Sequence, residues 1–138
     1  MQVKDAVFYM KKLFTDYWCK ELKYKCIFQN ILGDTPIDNV PFAKMDLVHS
    51  YADRATLMGM NKTKYRNRGL IYIQLFVPSN TGMDNAYELA QATMNIYRRP
   101  PHDCQINFHG FRFEESTLRY KDFFKVTVIV GFDYDYHF

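Results

Sequence analysis

The residues whose types and spacing come nearest to a chemical centre are Asp133-x-Asp135-x-His137, close to the end of the chain. On a strand, side chains two positions apart share a face and stand about 7 Å apart. Two carboxylates and an imidazole so arranged have the donor types for a divalent ion. The plainer reading is a solvated polar edge behind an aromatic face, and the rest of the sequence favours it. Zinc-ligand spacing of the Cys-x-x-Cys or His-x-x-x-His kind does not occur. Glu114 and Glu115 are adjacent, so on a strand they point to opposite sides and share no substrate. His49 and Ser50 are neighbours, but a nucleophile and its base are brought together by folding, not by adjacency. There is neither a Gly-x-Ser-x-Gly elbow nor a phosphate-binding glycine loop. The expectation is a protein with no catalytic residue, no metal and no cofactor.

Basic residues form a second constellation. Between Arg54 and Arg68 there are five positive side chains and no negative one. Lys62, Lys64, Arg66 and Arg68 alternate, so on a strand they line one face. Phe111-Arg112-Phe113 adds rings beside charge. This is the basis for a nucleic-acid-binding module as the rival reading. Arg68-Gly69-Leu70-Ile71-Tyr72-Ile73 has only part of the RNA-recognition signature and lacks the stacking aromatics. Basic residues beside a hairpin tip also serve to keep a sheet edge soluble and unpaired. The net charge of +3 is too mild to imply nucleic acid by itself.

The elements that must position these groups follow from periodicity. Val3, Ala6, Val7, Met10, Leu13, Phe14 and Tyr17 recur at helical spacing and predict an amphipathic first helix. A short strand is expected over 24–28, then a loop marked by Gly33, Asp34, Pro36, Asp38, Asn39 and Pro41. Phe42–Val48 reads as a strand that is interrupted near 50–53 and resumes over 55–58. A hairpin tip at 59–64 returns into a strand over 65–77, ended by Pro78. A turn containing Gly82 leads into a second helix, with Ala86, Leu89, Ala90, Thr93, Ile96 and Tyr97 inward, stopped by Pro100 and Pro101. Strands over 104–108 and 111–120, separated by a turn at Gly110, precede a last strand in which alternate residues from Phe124 to Phe138 are apolar or aromatic. The expected fold is α+β: a mixed, largely antiparallel sheet against two main helices, in the order α-β-β-β-α-β-β-β, as one domain spanning 1–138.

Three cysteines, Cys19, Cys26 and Cys104, form no disulfide framework, which fits a reducing compartment. No run of apolar residues is long enough for a membrane span, so no membrane partner is expected. Aromatic residues, 17% of the chain, exceed what a core of this size absorbs, and some must meet another surface. The last strand sharpens the point. At ~3.3 Å per residue it extends about 50 Å, whereas a globule of this length is roughly 37 Å across. Its end therefore bends or projects, and Tyr134, Tyr136 and Phe138 are expected at a self-association or partner contact. The basic hairpin and the acidic terminus with Asp133 and Asp135 are expected to be the two unlike patches of such a contact, so that removing residues 133–138 weakens the oligomer.

The stretch Arg66-x-Arg68-Gly69-Leu70-Ile71-x-Ile73-Gln74-Leu75-Phe76-Val77-Pro78, then Gly82, then Ala86-x-x-Leu89-Ala90 resembles the tail terminator proteins of long, non-contractile phage tails. The resemblance covers residues 66–97 best and most of the chain loosely. It implies a hexameric ring that caps the tail tube, ends its polymerisation and offers the head connector a docking face. It implies as partners other copies of the chain, the tube protein and the head-completion protein, with DNA passing through the lumen. It implies a place in the virion, at the head-proximal end of the tail, after assembly in the host cytoplasm. A head-completion or other connector protein is the alternative within the same class. Gly69, Pro78 and Gly82 carry over as fold-setting positions only.

Overall fold

In the computed structural model, residues 2–28, 40–54, 64–79, 83–101, 104–116 and 123–137 are described, with side chains at all but 51–54, 64, 136 and 137. Two helices lie on one face of a five-stranded sheet. The elements are α1 (Val3–Thr15), a π-helical segment (Asp16–Glu21), β1 (Lys25–Phe28), β2 (Phe42–Arg54), β3 (Lys64–Pro78), α2 (Asp84–Arg98), β4 (Ile106–Glu115) and β5 (Phe123–His137). Their order across the sheet is β1-β2-β3-β5-β4. Only β1 and β2 run parallel, and the other three pairings are antiparallel. The fold is thus α+β with a mixed, mostly antiparallel sheet.

Alternation decides which strand face is covered. Ala43, Met45 and Leu47 of β2, Ile71, Ile73, Leu75 and Val77 of β3, and Val126, Val128, Val130, Phe132 and Tyr134 of β5 form one core with the helices. Each Val, Leu, Ile, Met or Phe among them, fully buried, contributes about 1.5–3 kcal/mol. On the opposite face Phe42, Phe76 and Phe123 make a smaller cluster, with Phe42 stacked on Phe76 at 4.5 Å. No helix of the described residues covers that face, and Val48 stands half exposed on it.

The helices are explained by their buried stripes. In α1, Ala6, Met10 and Phe14 are fully buried at steps of four, and Trp18 continues the series. A step of four overshoots the 3.6-residue α-turn by about 40° each time. The wider π turn at Asp16–Glu21 absorbs that drift and keeps Trp18 over the sheet. Its indole stacks on Phe14, meets the edge of Tyr24, and donates from Nε1 to the Lys25 carbonyl at 2.9 Å. Lys23, at φ +60°, then turns the chain into β1. In α2, Ala86, Leu89, Ala90, Thr93, Met94 and Tyr97 face inward. Asp84 in its first turn and Arg98 in its last complement the helix dipole. Tyr97 locks the two helices together by donating to the Met10 carbonyl at 2.9 Å.

Two strand expectations change. The residues near 50–53 do not break β2, which runs unbroken from Phe42 to Arg54 with a bulge between His49 and Tyr51. The expected strands over 104–108 and 111–120 are one strand, β4, so two strands follow α2 and not three. Gly110 is not a turn between strands. It has φ +63° and forms a bulge within β4, where the register to β5 slips between His109 and Arg112. Lys64, expected in the hairpin tip, opens β3; the resumed strand over 55–58, the rest of the tip, the loop over 29–39 and Gly82 lie outside the described residues.

Candidate assembly surfaces

β3 and β5 pair without interruption from Lys64↔His137 to Pro78↔Phe123. Each strand has fifteen residues, or about 50 Å at ~3.3 Å per residue. β4 stops pairing at Ile106↔Tyr134, and β2 continues to Arg54↔Tyr65. The distal parts of β2, β3 and β5 thus form a three-stranded arm. The terminal strand does not bend away. It stays paired with β3 to His137.

This register brings the basic and acidic sets together within one chain. Arg66 lies opposite Asp135, and its Nε donates to Oδ1 at 3.0 Å. Arg68 lies opposite Asp133. Asp133 also accepts from Asn107 Nδ2 at 3.0 Å and stands 3.3 Å from His109 Nε2. The two charged series, expected as separate patches for two different subunits, are neighbours on adjacent strands, and the Arg66–Asp135 ion pair joins them. Both members of the Arg66–Asp135 pair are partly exposed, so the pair is worth about 0.2–1 kcal/mol. Among the described residues, no group of three or more His, Cys, Asp or Glu side chains is placed to hold a metal ion. The side chain of His137, third member of the acidic–histidine series, lies outside the described residues.

Tyr134 is corrected from an interface residue to a core residue, at 1% exposure. Its hydroxyl lies 2.7 Å from His49 Nε2 and accepts from Asn67 Nδ2 at 3.2 Å. Burial lowers the His49 pKa, favouring the neutral ring whose Nε2 accepts the tyrosine proton. This polar trio joins β2, β3 and β5 at the root of the arm. Deleting 133–138 would remove it, so such a truncation perturbs the fold and is no clean test of assembly. Lys62 and Phe138 lie outside the described residues, as do the side chains of Lys64 and Tyr136.

The fold-setting positions are clear. At Gly69 a Cβ would stand 2.1 Å from the Val48 carbonyl oxygen and 2.6 Å from the Phe132 ring. Pro78 closes β3 opposite Phe123. Gly131, unremarked in the sequence, lies under the His109 ring, 2.7 Å from where its Cβ would be. His49, Asn67, Asn107 and His109 also escaped sequence reasoning as partners. They meet Tyr134 and Asp133 across separations of up to 85 residues, with no local signal to mark them.

No protein-family model matches the sequence, and no curated protein matches it. Sixteen solved chains resemble it in structure. One of them superposes with a TM-score of 0.61 over 99% of this chain and 98% of its own, at 12% identity. At that identity the likeness establishes a shared fold alone.

Proposed function

We propose that this chain is a structural subunit of a phage tail, of the tail terminator type. It assembles as a ring, of six copies if it follows the proteins it resembles, on the end of the tail tube. There it stops polymerisation and presents a face to the head connector, while DNA passes through the lumen. The observation that carries this reading is the arm. A ladder of about 50 Å exceeds the roughly 37 Å width of a globule of this length. At its distal end, where β4 no longer pairs with β5, β2, β3 and β5 form a three-stranded surface that a neighbouring subunit or a tube can meet.

The rival nucleic-acid reading loses support at Arg66, whose charge is met by Asp135 in the same chain. An arginine already paired with a carboxylate adds less counterion release on a phosphate backbone. Electron microscopy of the full-length protein mixed with its tail-tube subunit tests the proposal. The expected result is tubes of arrested length with a ring of added density at one end. Tubes that grow without limit and carry no such density would refute it.

A further inference from the structure

Among the described residues, the exposed rings Phe8, Tyr87 and Phe113 lie in two places. The first is the α1–β1 side. Phe8, 67% exposed on the outer face of α1, and Phe28 at the end of β1 line a groove with Lys11, Lys12 and Lys20. The Lys11 ammonium sits 5.3 Å from the Phe28 ring centroid. Asp16 bridges Lys12 at 3.5 Å and Lys20 at 3.1 Å, so three lysines against one carboxylate leave the groove positive.

The second place is the β4 side. Phe113, 41% exposed, meets Tyr87, 39% exposed, edge to face at 6.2 Å. Tyr87 donates to Glu115. Asp84 and Glu88 are exposed on the same side of α2. The charged side chains beside Tyr87 and Phe113, namely Asp84, Glu88 and Glu115, are acidic; Arg98 lies farther along the edge, 5.0 Å from the Phe111 ring centroid.

Register relates the two. Phe28, Met45, Ile73, Val128 and Phe113 form a single row across all five strands. Both patches therefore lie at the same height along the strands, at opposite ends of a row about 19 Å wide. Both are on the helix side of the sheet, since Phe28 packs on the helical core and Phe113 on Tyr87 of α2.

We infer that a second copy of this chain occupies each patch: the β4 edge of one protomer meets the α1–β1 edge of the next. One patch is basic and aromatic and the other acidic and aromatic, so each complements the other and not itself. Such a head-to-tail contact repeats, and closes into a ring when its rotation permits. The inference rests on the ring-subunit reading above. It supplies the unlike pair of surfaces that the arm, whose basic and acidic residues lie side by side, does not.

Three full-length variants test it. Lys11→Glu with Lys20→Glu turns the basic edge acidic. Glu88→Lys with Glu115→Lys turns the acidic edge basic. The third variant carries all four changes. Circular dichroism verifies that each folds. Sedimentation velocity at low salt, over a concentration series, reads association; where association needs tail tubes, the same samples are scored on them by electron microscopy. Each two-site variant alone should need at least about tenfold more protein than the unmodified chain to associate. An equal mixture of the two, and the four-site variant, should recover association, because every head-to-tail contact is again between opposite charges. If the unmodified chain assembles and the two-site variants match it, or the mixture shows no recovery, this interface is overturned and the ring reading stands. If the unmodified chain stays monomeric in solution and on tubes, the ring reading fails, and the interface with it.

Discussion

Gly69→Ala is the sharpest probe of the sheet that carries these surfaces. A Cβ there would lie 2.1 Å from the Val48 carbonyl oxygen, 2.6 Å from the Phe132 ring and 3.0 Å from the His49 Cα. The first and last of these are backbone atoms of β2, so no side-chain rotation relieves them. Strand β2 must move away by about 1 Å, next to its bulge and against the Tyr134–His49–Asn67 trio. Overpacking of this kind costs about 1–3 kcal/mol and occasionally more, while replacing Gly in the unfolded chain returns about 0.4–1 kcal/mol. With backbone as the obstacle, the upper part of the range applies, and the net loss is about 2–3 kcal/mol. For a 138-residue chain this lowers Tm by roughly 7–10 °C. Urea unfolding followed by circular dichroism measures the free energy from the midpoint and slope. Gly131→Ala is the internal control. Its nearest obstacle is the exposed His109 ring, which can swing aside, leaving the His109 carbonyl at 3.0 Å. Its loss should be about 1 kcal/mol. A Gly69→Ala protein within 0.5 kcal/mol of the parent, or one less affected than Gly131→Ala, would refute the steric argument. Adding Phe132→Leu should not rescue Gly69→Ala, because the ring is not the limiting contact.

Tyr134→Phe removes a hydroxyl shared by His49 and Asn67, and Asn67 is itself buried; an unfolding free energy lower by about 1–3 kcal/mol is expected by the same urea assay. Burial holds the His49 pKa below its ordinary value of roughly 6.5. The unfolded chain then takes up the proton first, so stability present above that value is lost as pH falls below it, until the folded pKa is passed. Comparing unfolding at pH 7.5 and 5.5 should show a fall in the parent that is smaller in His49→Gln. Burial pushes the Cys26 thiol up to about 12, which leaves almost no thiolate at pH 8. Cys26 should resist alkylation there in the folded protein and react once urea is added, as mass spectrometry of peptides would read. Fast labelling of native Cys26 would contradict the packing of β1 against α1.

The parts of the fold read from sequence are those with one unbroken period. Alternation from Val126 to Tyr134 placed β5 correctly, and the four-residue steps of Ala6, Met10 and Phe14 placed α1. Where the period slips, local reading fails. In β4 the helix-facing side passes from the even positions Ile106 and Phe108 to the odd position Phe113, because Gly110 inserts one residue. A change of phase at a glycine looks like a turn in sequence, and only the partner strand shows it to be a bulge. The bulge at His49 hides the continuity of β2 in the same way. The site was legible in composition but not in pairing. Arg66, Arg68, Asp133 and Asp135 are visible as two charged series, yet only the β3–β5 register makes them neighbours. A strand longer than a globule points to an outward Tyr134; His49 and Asn67, far away in sequence, are what draw it inward.

The chain has one tryptophan, and it sits at the corner where α1 turns into β1. A fully buried indole emits at shorter wavelength than one in water, so Trp18 is a built-in optical reporter of this corner. Far-ultraviolet dichroism, in contrast, averages the whole backbone. A red shift in emission that precedes the loss of dichroism would mean that the α1–β1 edge loosens before the sheet melts. The same spectrum, recorded during association, would report on that edge without any attached label.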